Sequence, residues 1–368
     1  MTRKIIKKIH LWLTLIFFIP LLVQGLSGTI MVFENEIEDL ISGHQEYKLS
    51  GNYENQNLQE LDKIIAIAQN FTSPNYSSNF AEFLENEPAT ISFVAEKKPK
   101  ISVFVDPFTL EVLGQETSKP NAVLKTIHQL HTNLLIQGKT GRDLIGYVGI
   151  VMFLMLISGI IIWFPKQISR FKEGFFFKFS DRGFNFHRRL HKSFGIWAYL
   201  VLFIITFSGI YIVFPQYIEP IFIEGRMREK ITLPKQNGRI IDVNEAIKIT
   251  KTVFPHQKII SIFIPNTSDR PYRISLKPSS YIVGAPLINV NIDPIKAEII
   301  KIQNPDKFTI GETILAWQAP LHFGEVLGLP WKIVLFLSGF LPLLFTITGI
   351  FMWWKKKKGQ KSINQSIG

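Results

Sequence analysis

Four uncharged, mostly apolar runs constrain this chain more than any other feature. They span residues 11–33, 144–164, 193–215 and 333–354, each 21 to 23 residues long. At about 1.5 Å per helical residue, each is long enough to cross about 30 Å of hydrocarbon. The sequence therefore predicts four transmembrane helices. The positions of Lys and Arg predict their orientation. Residues 1–10 carry four basic residues, 165–192 carry eight against Glu173 and Asp181, and 355–368 carry five. Both termini and the 165–192 loop are expected in the cytoplasm, and the long segments 34–143 and 216–332 outside. The net charge of +12 is thus a membrane-orientation signal, and no nucleic-acid partner is expected. The first run follows MTRKIIKK without an A-x-A-like cleavage site, which reads as an uncleaved signal anchor.

The chain is written twice. Aligning His10 on His191 places Ser27-Gly28 on Ser208-Gly209, with 18 residues from His to Gly in both copies. Aligning His131 on His322 gives spacings of 28 and 27 residues to Gly159 and Gly349, and four more to Trp163 and Trp353. The outer segments repeat as well. LDKIIAIAQNF and VNEAIKITKTVF both read as amphipathic helices. Each precedes strand-like runs: ATISFVAE and KISVFVDPFTLEVLG in the first copy, YRISLKP and PLINVNIDPIKAEII in the second. Both copies share an Asp-Pro turn, Asp106-Pro107 and Asp293-Pro294. Residues 58–116 and 242–302 should each form a helix on a small antiparallel sheet and should superpose.

The fold class expected is a membrane α-helical protein with α+β outer domains. Two helix–domain–helix repeats are arranged about a pseudo-two-fold axis along the membrane normal. The boundaries are residues 1–34 for the cytoplasmic start and first membrane helix, 35–122 for the first outer domain, and 123–165 for an outer His segment and second helix. Residues 166–192 form a basic cytoplasmic loop, 193–216 the third helix and 217–310 the second outer domain. Residues 311–354 form the second outer His segment and fourth helix, and 355–368 a basic tail.

The chain has no cysteine, which excludes thiolate haem ligation, iron–sulfur clusters, C-x-x-C-H haem attachment and disulfides. A metal site must use His, carboxylates or backbone. Of eight histidines, four lie at repeat-equivalent positions. His10 and His191 fall at the inner ends of the first and third helices, and His131 and His322 just outside the second and fourth. A two-fold axis can bring each pair face to face, one near each membrane surface. Two opposed imidazoles suit the axial positions of a haem iron, and filling both favours electron transfer over oxygen chemistry. Any single histidine at a membrane interface also reads as a polar anchor. His187, one turn before His191, and His128, one turn before His131, are secondary candidates for ligand or supporting residue. His187-x-x-x-His191 also reads as half a zinc site, without a convergent carboxylate to complete it. His44 and His256 read as surface residues. The Ser-Gly and Thr-Gly steps read as small-residue helix packing, and Trp163 as part of an interfacial aromatic belt.

FHRRLHKSFGIW, LHTNLLIQG, PLHFGEVLGLPWK and TGIFMWWKK resemble the PepSY-associated transmembrane family, and the two outer segments resemble PepSY domains. The likeness covers nearly the whole chain. It implies a bacterial inner-membrane protein of iron uptake, similar to ferric-siderophore reductases that carry two non-covalent b-type haems. The partners implied are a ferric siderophore or other iron chelate, membrane lipid and a separate electron donor. No G-x-G-x-x-G follows a strand and no soluble cytoplasmic domain is available for flavin or nicotinamide, so electrons would come from quinol or a cytoplasmic reductase. Two other readings stand beside this one: a PepSY-domain regulatory or binding protein without redox activity, and a component of haem or iron-chelate transport.

Overall fold

The computed structural model describes residues 2–42, 47–49, 60–85, 87–118, 121–165, 167, 169, 171–224 and 231–367. In chain order the helices are α1 (Thr2–Met31), α2 (Glu34–Ser42), α3 (Leu61–Phe71), α4 (Ala122–Asn133), α5 (Lys139–Trp163), α6 (Gly183–Trp197), α7 (Tyr199–Val213), α8 (Pro215–Phe222), α9 (Val243–Val253), α10 (Ile310–Phe323), α11 (Leu329–Ser338) and α12 (Leu341–Ile367). The strands are β1 (Ser77–Glu82), β2 (Ala89–Val94), β3 (Ile101–Val105), β4 (Val112–Thr117), β5 (Ile259–Phe263), β6 (Tyr272–Leu276), β7 (Ile288–Ile292) and β8 (Ile299–Gln303). The chain divides into two compact units: a helical one (1–39, 121–226, 314–368) and a sheet-based one (40–120, 227–313).

In the helical unit, α1, α5 and the stretch Leu329–Gly359 are each long and apolar enough to cross a membrane. The pair α6–α7 qualifies if its two pieces form one bent span. The sequence predicts an unbroken helix over 193–215. Instead the helix starts ten residues earlier and bends by 62° at Ala198. Ala198 stands at the break with φ −85° and ψ −7°. Its neighbour Trp197 donates Nε1–H to Phe175 O at 3.0 Å beside the bend.

Small residues let the helices approach closely. A Cβ at Gly339 would lie 1.9 Å from Thr29 Oγ1 and 2.6 Å from Gly25 O, and one at Gly25 would lie 2.5 Å from Gly339 O. Backbone therefore meets backbone where α1 crosses the α11–α12 junction. Gly339→Val should destabilise the helical unit by about 1–3 kcal/mol, the usual cost of overpacking. Thermal unfolding in detergent would read it, and an unchanged melting temperature would contradict the contact. Arginines close the helix ends. Arg142 Nη2–H donates to Ile212 O at 2.7 Å, near the end of α7, and Arg3 donates to Ile162 O at 2.7 Å and to Phe164 O, at the end of α5. Each satisfies carbonyls that have no intrahelical partner.

The sheet-based unit holds one continuous antiparallel sheet of eight strands, in the order β4-β3-β2-β1-β5-β6-β7-β8. The expected helix-plus-sheet motif occurs in both copies. The two sheets are joined edge to edge through β1 and β5, strands absent from the sequence reading. Their register places Phe80 opposite Phe263, Ala81 opposite Ile262 and Glu82 opposite Ser261. The flanking bonds, Phe83 N–H to Ile260 O at 2.8 Å and Ile264 N–H to Asn79 O at 2.9 Å, are equivalent under a two-fold relation through Ala81 and Ile262. Joining the halves pairs two edges that would otherwise present unpaired N–H and C=O groups.

The Asp-Pro turns match bond for bond. Asp106 Oδ1 accepts from the N–H of Phe108 and Thr109, and Asp293 Oδ1 from those of Ile295 and Lys296. Leu110 and Ala297 then take positive φ, 67° and 58°. Ile64, Ile65 and Ala68 of α3 and Ala246 of α9 belong to one apolar core with the inward residues of both half-sheets, among them Ile91, Phe93, Ile274 and Val290. Strand alternation supplies that face.

Candidate functional site

The helical unit brings the four repeat-equivalent histidines together as two facing pairs. The ring centres of His10 and His191 lie 6.5 Å apart, with ring planes at 78°. Those of His131 and His322 also lie 6.5 Å apart, at 45°. The separation is informative. A metal–nitrogen bond is about 2.0 Å, and a ring nitrogen lies about 1.1 Å from the imidazole centre, so two axial imidazoles on one metal would hold their centres about 6.2 Å apart.

Local structure positions each ring. His10 lies on α1 and His191 on α6. His131 and His322 occupy the last turns of α4 and α10, short helices that precede the long apolar ones. The Asn121 side chain caps α4 by accepting from Val123 N–H and Leu124 N–H. The helix ends in left-handed turns at Leu134 and Leu135, φ 54° and 61°. A Thr309–Glu312 capping box starts α10, and Trp331 Nε1–H donates to Leu321 O at 2.9 Å beside its end. Gln24 Nε2–H holds the His131 carbonyl at 2.9 Å.

Each imidazole meets one hydroxyl. His10 Nδ1 lies 2.8 Å from Ser158 Oγ, His131 Nδ1 3.0 Å from Ser27 Oγ, His191 Nδ1 2.7 Å from Thr348 Oγ1 and His322 Nδ1 2.9 Å from Ser208 Oγ. Those hydroxyls donate their own protons to carbonyls of the preceding helical turn: Ser158 to Met155 O, Ser27 to Val23 O, Ser208 to Ile205 O and Thr348 to Leu344 O. A hydroxyl that has given its proton to a carbonyl can only accept from the ring. That arrangement places the hydrogen on Nδ1 and the lone pair on Nε2; at His322 the Ile205 carbonyl, 3.1 Å from Nδ1, calls for the same tautomer. This is the tautomer and orientation that a metal-ligating histidine needs. All four hydroxyls are buried.

The pattern is reciprocal. Within each half of the sequence, the first long helix supplies the hydroxyl for the second half-pair's imidazole and receives one in return. Each hydroxyl directly precedes a glycine. A Cβ at Gly28 would lie 3.0 Å from His131 Cε1, at Gly209 3.2 Å from His322 Cε1, and at Gly159 3.7 Å from His10 Cε1. The Ser-Gly and Thr-Gly steps thus do more than pack helices: the hydroxyl residue meets the imidazole in all four, and at Gly28 and Gly209 the glycine also makes room for the ring. A Ser or Thr before Gly in each of four apolar runs was the available sequence signal.

Seventeen residues of α1 separate His10 from Ser27, the partner of His131, so the two pairs stand about 25 Å apart along the helix. Around His10 and His191 lies a mostly apolar cleft, its lining including Met152, Met155, Leu202 and Phe345. Among the described residues no cluster of three or more His, Cys, Asp or Glu forms. Each pair therefore offers a metal two axial nitrogens, and a flat macrocycle would have to supply the rest. Spacing, tautomer and apolar surroundings fit such a group.

The secondary candidates lie elsewhere. His187 donates Nδ1–H to Gly183 O at 2.9 Å and stacks on Phe351 with centres 3.9 Å apart. His128 Nδ1 faces the Glu34 carboxylate at 3.2 Å. His256 is in the sheet-based unit, and His44 lies outside the described residues. Trp163 is not a membrane-belt residue. It is buried, its Nε1–H donates to Gly174 O at 3.2 Å, and Phe171 and Phe175 pack edge-on against it.

The family of PepSY-associated TM regions matches residues 7–356. No curated protein sequence matches the chain. Among solved structures, a protein described as a lipoprotein of Clostridium difficile 630 aligns at 10% identity over 68% of this chain and 95% of that one, with a TM-score of 0.26. That likeness is too slight to carry an argument.

Proposed function

The chain belongs to the PepSY-associated TM family, and from that premise we propose that it is a di-haem electron-transfer protein of the bacterial inner membrane that reduces chelated ferric iron outside. One observation carries the reading: two histidine pairs with axial-ligand spacing, each ring locked by a hydroxyl with Nε2 free. An anchoring histidine would need no partner ring at 6.5 Å and no fixed tautomer.

In this reading α1, α5, the bent pair α6–α7, and α11 with α12 are four spans in two repeats. The basic ends near Arg3, Lys192 and Lys355 face the cytoplasm. His10 and His191 would hold the inner b-type haem and His131 and His322 the outer one, without covalent attachment. Bound there, haem would supply one-electron transfer. The chain's own residues would ligate it, orient the imidazoles through Ser158, Thr348, Ser27 and Ser208, and line the inner pair with mostly apolar side chains. A ferric siderophore or similar chelate is the outer acceptor. Fe(III) takes one electron and becomes Fe(II), which hard oxygen ligands hold less tightly. Quinol or a cytoplasmic reductase is the donor.

Two measurements test this. Deleting the gene should slow growth on a ferric siderophore and spare growth on ferrous iron. An equal defect on both would point to transport or envelope regulation instead. A reporter fused after Asn237 should sit outside the cytoplasm and one after Gly174 inside, and a cytoplasmic signal at Asn237 would break the four-span arrangement.

A further inference from the structure

The cleft at His10 and His191 is mostly apolar, but Lys192, the residue after His191, is in its lining with Ile162 and Trp163. The Lys192 ammonium stands 5.9 Å from the centre of the Trp163 ring. Arg188, Arg3 and Lys7 all add positive charge around it, and Glu173 is the one carboxylate among the charges acting on it. Behind it, Arg3 spends Nη2 on the carbonyls of Ile162 and Phe164, while its Nε is buried without a hydrogen-bond acceptor.

A half-buried lysine among like charges, beside a buried guanidinium N–H with no acceptor, costs folding free energy unless an anion completes it. The cleft wall offers no carboxylate of its own. Lys192 lines the cleft that holds the two imidazoles, and Arg3 is among the charges acting on it.

We propose that Lys192, backed by Arg3, binds a carboxylate of the ligand held between His10 and His191, so that the acid side chains of a haem point toward the basic end of the helical unit. The assignment rests on the di-haem reading and fixes the orientation of one ring. It concerns the inner pair alone: the residues after His131 and His322 are Thr132 and Phe323. A phospholipid headgroup is the other anion that could meet these cations, and the experiment separates the two sources.

Full-length protein carrying His322→Ala, so that only the inner pair remains complete, is stripped of haem and placed in detergent with zwitterionic lipid. It is then titrated with haem and with haem dimethyl ester, in which both carboxylates are blocked. Haem should bind about tenfold or more tightly than the ester, the effect of a charge-assisted hydrogen bond. Lys192→Gln should weaken haem to the level of the ester and leave the ester unchanged, and Lys192→Arg should restore the preference. The same comparison in the wild-type background should show one site that discriminates and one that does not respond to Lys192. Equal binding of haem and ester overturns the assignment. So does a Lys192 effect that appears only when phosphatidylglycerol is added, which would give these cations to lipid. Protein that takes up neither macrocycle in either background overturns the di-haem reading and this orientation with it.

Discussion

Replacing His191 by Ala should leave the purified protein with one haem per chain where the wild type has two. The change deletes one axial nitrogen from the inner pair. The remaining ring, His10, keeps its bond to Ser158 but has no partner across the cleft, so haem is lost or becomes five-coordinate. His10→Ala should be indistinguishable from His191→Ala, because the two rings are the two faces of one site 6.5 Å across. His131→Ala and His322→Ala should form a second matching pair, lose the other haem, and stop reduction of an outside acceptor. His187→Ala is the control, since that ring stacks on Phe351 and faces neither pair. Pyridine haemochrome content and the spectrum of each variant read the outcome. Loss of haem in His187→Ala but not in His191→Ala would displace the pairing by one helical turn and break the symmetry on which it rests.

Thr348→Val should cost about 10–100-fold in haem affinity at the inner pair, the usual effect of removing the hydrogen-bond partner of a metal-bound imidazole. Valine keeps the shape of threonine, so packing is preserved. What disappears is the acceptor 2.7 Å from His191 Nδ1. The ring N–H is then left unpaired in a buried place, which costs about 1–3 kcal/mol, and nothing fixes the tautomer or the ring angle. Thr348→Ser, which restores the hydroxyl, should rescue binding. The outer haem should be unaffected by either. Ser208→Ala should have a smaller effect at His322, whose Nδ1–H keeps the Ile205 carbonyl at 3.1 Å, and should spare the inner site. Competition with an apo-haem scavenger measures both. Retention equal to wild type in Thr348→Val would return the Thr-Gly step to ordinary helix packing.

Much of this arrangement was legible in the sequence because duplication repeats what matters. Three of the four apolar runs lie in helices long and apolar enough to cross a membrane and the third run in chain order lies in a bent pair, while matched spacings, 18 and 18 residues and 28 and 27, paired His10 with His191 and His131 with His322. The Asp106 and Asp293 turns were readable because an Asp-Pro step with a following positive-φ residue has a local hydrogen-bond logic. The central strands were not. SSNFAE of β1 has no β-branched residue, and while one of its partners is the neighbouring β2, the other is β5, about 180 residues away, which no local pattern announces. The bend at Ala198 falls inside an uninterrupted apolar run, so hydropathy cannot show it. The hydroxyls were visible as residues but not as partners. Serine on an apolar helix fits packing as well as ligation, and only the position of an imidazole on another helix separates the two.

The most direct test is the visible spectrum of the purified protein, oxidised and then reduced with dithionite, with the haem content per chain. The account predicts two non-covalent b-type haems, both six-coordinate and low-spin. Their ring-plane angles of 78° and 45° should give two distinguishable low-spin signals in electron paramagnetic resonance. A protein that binds no haem when made in haem-replete cells and takes up none when it is added would contradict the account. The four imidazoles would then be interfacial groups held by hydroxyls for reasons of packing alone.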